Sequence, residues 1–117
     1  MSLTAIWIDQ SHAKIFNLSP EHLTTEKKLK HHEIRHHTHA IDQIEAQFHE
    51  HEFQKIILKL VADAEQILLL GPGLAKTHFQ HFLDTRHPAI AKKVVACENM
   101  DHPTDPQIAA FAKKYLI

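Results

Sequence analysis

The stretch Gln66 to Lys76, QILLLGPGLAK, decides how this chain folds. Ile67 to Leu70 form an apolar run of a length that suits a short buried strand. Gly71-Pro72-Gly73 breaks that run, and the only two glycines of the chain both lie in this triplet. Beyond it, Leu74, Ala75, His78, Phe79, Phe82 and Leu83 recur at helical spacing as an inner stripe, and Pro88 closes the helix off. A buried strand turning sharply into an amphipathic helix is the unit from which α/β folds are built.

The same alternation extends in both directions. Upstream, Phe53, Ile56, Ile57, Leu60, Val61 and Ala64 fall at i, i+3, i+4, i+7, i+8 and i+11, one face of a helix. Downstream, Lys93 to Glu98 (KVVACE) reads as a further buried strand. Thr104 then suits an N-cap, with Gln107 at the capping-box position and Asp105-Pro106 in the first turn. Ile108, Phe111, Ala112, Tyr115 and Leu116 supply the inner face of that last helix.

At the other end of the chain, Thr4 to Asp9 (TAIWID) reads as a central strand covered on both faces. Gln10-Ser11 is a turn, and His12 to Ser19 is the second arm of a hairpin. Leu23 to Lys30 (LTTEKKLK) is polar and lysine-rich, as suits an exposed edge strand. His31 to Phe48 has no clean period and is expected to be a loop. The expected order is β-β-β-α-β-α-β-α. Hairpins join the first three strands and right-handed helical crossovers add two parallel ones. This gives a mixed five-stranded sheet in the order 3-2-1-4-5, with helices on both faces.

Composition narrows the function classes. The chain has 117 residues, 44% of them apolar, enough for one core and too many for a disordered chain. No apolar run approaches the roughly 18 residues of a membrane span. The N-terminus lacks the basic and apolar regions of a secretory signal. A single cysteine, Cys97, excludes an internal disulfide framework and suits a reducing, cytoplasmic setting; it is expected to be a buried packing residue. The formal charge of −1 gives no general reason to expect a polyanionic partner. Histidine is the anomaly. Protonating all 13 would move that charge from −1 to +12.

Within this frame the Gly71-Pro72-Gly73 junction has two readings. It is a tight β-to-α turn, or it aims backbone N–H groups at an anion with Lys76 adding a charge. It is not a phosphate-binding GxxxxGK[ST] loop. The segment itself resembles the middle domain of Pelota and of the archaeal and eukaryotic peptide-chain release factors. In that domain an apolar strand leads into Gly-Pro-Gly-Phe-x-Lys and a helix. Gly71, Pro72, Gly73 and Lys76 match, and Leu74 replaces the aromatic. The likeness extends to the opening Ala5 to Asp9 strand and its hairpin. The tail from Asp101 to Thr104-Asp105 and Gln107 is similar to that of short bacterial proteins labelled translational machinery proteins, whose histidine-rich middles and Gly-Pro-Gly turns also recur.

That resemblance covers nearly the whole chain. It implies one three-layer α/β/α domain over residues 1–117, of the ribonuclease H-like type. It also implies a non-catalytic, translation-associated role with the ribosome, rRNA or tRNA as partner. Release factors carry a Gly-Gly-Gln tripeptide that acts in peptide release; this sequence has no Gly-Gly, so no residue inherits that role.

Several constellations carry a functional and a plainer reading side by side. Lys27, Lys28, Lys30 and Arg35 form either an RNA-facing basic strip or a solvated face partly cancelled by Glu26 and Glu33. His31, His32, His36, His37 and His39 supply imidazoles for zinc or another transition metal, or make a polar loop; no cofactor is required by the reading. Asp9 matches the first-strand carboxylate of a two-metal nuclease, but the fourth strand ends in Leu70-Gly71 with no acid, so Asp9 is read as a turn residue. Asp101, His102 and Asp105 are read as loop and capping chemistry rather than as an acid/base set. The edge strand from Leu23 also offers a route to homo-oligomers.

Overall fold

Six consecutive buried residues put Leu3–Ile8 (β1) at the centre of a sheet. The structure is a computed structural model that describes residues 2–10, 12–19, 30–35 and 43–116, with backbone alone described over 30–35 and 43–51. On one side β1 pairs antiparallel with His12–Leu18 (β2), Leu3 opposite Leu18 and Ile8 opposite Ala13. On the other it pairs parallel with Gln66–Gly71 (β4), Trp7 opposite Leu70. Val94–Asn99 (β5) adds to β4 in parallel, with a register shift that leaves Val95 as an extra residue. Lys30–Arg35 (β3) lies antiparallel along the outer side of β2, so the strands run β3-β2-β1-β4-β5. The protein is thus an α/β fold on a mixed sheet.

Alternation along the strands sorts the core into two layers. Ile6, Ile8, Ala13, Ile15, Ile67 and Leu69 point to one face, where they meet Phe53, Ile57 and Val61 of helix α1 (Gln43–Val61) and Phe79, Phe82 and Leu83 of α2 (Ala75–Arg86). Leu3, Ala5, Trp7, Phe16, Leu18, Leu68 and Leu70 point to the other, under Ile108, Ala109 and Ala112 of α4 (Asp105–Lys113). Both faces of β1 and β4 are therefore covered, which is why their sequences are nearly continuous apolar runs. Each fully buried Leu or Ile contributes about 1.5–3 kcal/mol.

The N-cap of α4 is as expected. The Thr104 hydroxyl accepts from the Gln107 N–H at 3.3 Å, and the Gln107 side chain accepts from the Thr104 N–H at 2.9 Å. Elsewhere the structure corrects the expectations. The third strand is Lys30–Arg35: it begins at the last residue of the expected edge strand, Leu23 to Lys30, and continues into the stretch read as a loop from His31, while residues 23–29 lie outside the described residues. Helix α1 begins at Gln43, not near Phe53. Pro88 ends one helix by starting another, the single turn α3 (Pro88–Ala91), where its missing N–H costs nothing at N1. Ile56, Leu60 and Leu74 are exposed, because each helix is buried over a narrower stripe than its apolar residues span. The strand β5 is half-buried at most, since it ends the sheet. Cys97 is accordingly exposed, not a packing residue.

Candidate functional site

The parallel strands β1, β4 and β5 all end on the same side of the sheet, and three connections meet there. Asp9 follows β1, Pro72 to Leu74 follow β4, and Met100 to Thr104 follow β5. Open α/β sheets concentrate their ligand sites at this edge.

Gly71 is the pivot of the edge. Its φ is +149°, and a Cβ placed on it would overlap the carbonyl oxygen of Ile8. The glycine is therefore a packing requirement between neighbouring strands, whatever else the turn does. Its own carbonyl accepts the Met100 N–H at 3.0 Å, which fastens the third connection to the second. Gly73 has φ +60° and open space around it, so only the left-handed backbone calls for glycine there. Leu74 follows at the start of α2 and is 67% exposed at the tip of the turn.

Lys76 does not project from this turn. Its side chain leans back toward the helix N-terminus, as helical side chains do, and is 5% exposed. Its Nζ donates to the Gly73 carbonyl at 2.6 Å. The ammonium thereby braces the turn from beneath. It also acts on β5. The protein around Cys97 withholds enough water to push the thiol's pKa up, the Lys76 charge pulls it down, and Glu98 pushes it up; desolvation prevails. No side chain caps α2, and its first turn holds no acid.

A second group adjoins the turn. The Trp7 indole N–H donates to the carbonyls of Met100 at 3.0 Å and Asp101 at 3.1 Å. Its ring meets that of His102, centroids 5.6 Å apart. Lys14 Nζ pairs with Asp105 at 3.0 Å and ties β2 to the start of α4. Asp9 accepts the His12 N–H at 2.6 Å, the turn role read from sequence. Trp7 as the anchor of the Met100–His102 connection was missed in the sequence, although an indole on a buried strand needs a hydrogen-bond acceptor.

The strand registers separate the expected basic residues. Arg35 lies opposite His12 and so reaches the sheet end that carries the Gly71 turn, three strands and roughly 14 Å away. Lys30 lies opposite Asn17, at the far end. His31 and His32 lie between them, opposite Phe16 and Ile15. Lys27, Lys28, His36, His37 and His39 lie outside the described residues. Among the described residues no group of three or more His, Cys, Asp or Glu is placed to hold a metal ion, and no helix is long and apolar enough to cross a membrane.

No family model matches the sequence, and no curated protein matches it. Solved structures do. Pelota of Thermoplasma acidophilum superposes with a TM-score of 0.67 at 19% identity, over 97% of this chain and 32% of that one. Pelota of Archaeoglobus fulgidus gives 0.65 at 19% identity, over 97% and 31%. The archaeal translation termination factor aRF1 gives 0.62 at 16% identity, over 97% and 38%. The chain shares its fold with a part of Pelota and of the archaeal release factor. It spans about a third of the length of each, so the likeness is to one portion of a larger protein.

Proposed function

We propose that this is a non-catalytic, cytoplasmic, translation-associated protein that contacts the ribosome, rRNA or tRNA. The observation that carries the reading is the fold shared with Pelota and aRF1 along 97% of the chain. The contacting face is built around Gly71, Pro72 and Gly73, with Lys76 bracing the turn and Leu74 at its tip. Arg35 sits at the same sheet end; Lys27, Lys28 and Lys30 belong to the same basic segment, with Lys30 at the opposite end of β3, so the segment offers a second point of contact rather than part of the turn's face. In this reading residues 1–117 form one ribonuclease H-like domain. Peptide release is not part of the proposal, because the sequence holds no Gly-Gly. Fractionation of lysate on a density gradient tests it. The protein should travel with ribosomal particles in growing or starved cells, and free sedimentation in both would count against the reading.

Five histidines within nine residues, His31 to His39, support a second reading as a zinc or other transition-metal binder. Zinc-dependent thermal stabilisation, lost on replacing His36, His37 and His39, would favour it. A melting curve indifferent to zinc and to chelator would remove it.

A further inference from the structure

The strand β5 closes one side of the sheet, and among the described residues no strand pairs with its outer edge. Its side chains are unusually open for a strand in an α/β fold. Val95 is 43% exposed, and Cys97, Glu98 and Asn99 are exposed as well. An apolar, unpaired edge of this kind is a template for another strand.

The charges along the edge select which strand. Lys92 and Lys93 stand at its start and Glu98 near its end, with Val94, Val95, Ala96 and Cys97 between them. The segment is therefore basic at one end, acidic at the other and uncharged in the middle. Laid antiparallel against itself, it brings Lys93 opposite Glu98, Val94 opposite Cys97 and Val95 opposite Ala96. Two-fold symmetry makes each contact twice. A parallel copy in register would set lysine on lysine and glutamate on glutamate. The extra residue Val95 resets the alternation of β5, so Lys93 and Glu98, five positions apart, fall on the same face of the sheet and can meet across the pair.

We infer that the outer edge of β5 is a self-association surface whose occupant is β5 of a second copy of this chain, paired antiparallel about a two-fold axis between Val95 and Ala96. The pairing is isologous and closes on itself: each β5 edge is consumed by the other, and no further copy adds there. The lysines and the extra residue Val95 keep the edge from accepting strands indiscriminately. The contact is one strand long, which makes the dimer weak and concentration-dependent.

The test is sedimentation equilibrium of the full chain over a concentration series, with K93E, E98K and the double exchange K93E/E98K. All three change exposed or half-exposed positions, and circular dichroism checks that each is folded. The wild type should dimerise. Each single exchange sets like charges opposite each other twice and should weaken the dimer roughly tenfold. The double exchange restores opposite charges at both places and should recover wild-type affinity. A wild type that stays monomeric at its solubility limit overturns the inference. So does a dimer indifferent to the single exchanges, which would place the contact on another edge. So does a double exchange as weak as either single one.

Discussion

The backbone of Gly71 runs so close to the Ile8 carbonyl that no Cβ fits between them. Gly73, two residues on, has the same freedom from side chain but nothing beside it. The two glycines of the turn therefore answer different demands, one of space and one of backbone angle. Gly71→Ala should cost about 3 kcal/mol or more, since it adds a steric overlap to an unfavourable φ. Gly73→Ala should cost about 1–2 kcal/mol, the left-handed penalty alone. Urea denaturation of the two variants checks the order; equal losses would contradict it.

Ile56 and Ile57 are neighbours on α1 with opposite fates. Ile57 is fully buried, while Ile56 is 47% exposed. Ile57→Ala should cost about 2–5 kcal/mol through the cavity it leaves. Ile56→Ala should cost under about 1 kcal/mol. Denaturation midpoints at unchanged slope measure both.

That contrast shows where the sequence was readable. Continuous apolar runs identified β1 and β4, because a strand covered on both faces has no polar alternation to confuse it. The Thr104–Gln107 capping box was legible because it is local chemistry at fixed spacing. Periodicity could not separate Ile56 from Ile57, since both lie on the apolar side of a helix and only the width of its contact with the sheet divides them. The expected strand order put KVVACE at the end of the sheet, yet its apolar run was read as a buried strand, because a strand's composition does not record how much of it its neighbours cover. That Lys76 folds back beneath the turn was not read from the sequence. The lean of helical side chains toward the N-terminus, read together with Gly73 three residues back, was the available signal.

Trp7 holds the connection after β5 by two carbonyls at once. Trp7→Phe keeps most of the apolar packing but leaves both acceptors without their donor. A loss of roughly 1–3 kcal/mol is expected. Hydrogen exchange at the Met100 amide, which bonds to the Gly71 carbonyl, should quicken in the same variant. An unchanged rate would mean that Gly71 alone secures the connection.

Cys97 is exposed, yet its thiol should be a sluggish nucleophile near neutral pH. Desolvation raises its pKa, so a smaller fraction is thiolate than in a free cysteine. Labelling with a disulfide reagent should follow a pH profile displaced upward from that of a small free thiol. Lys76 acts in the opposite sense, lowering the pKa. Lys76→Met removes that charge and should displace the profile further upward. A downward displacement in the variant would refute the assignment of Lys76 as the nearby cation.

The proposed translation role stands on direct contact with ribosomal components, and purified ribosomes incubated with the purified chain test it most directly. Binding measured over a salt series should be detectable at low salt, fall linearly on logarithmic axes as phosphate contacts release counterions, and weaken further when Arg35 and Lys30 are replaced by Gln. No binding at the lowest salt, or binding that neither salt nor those replacements alter, would contradict the account.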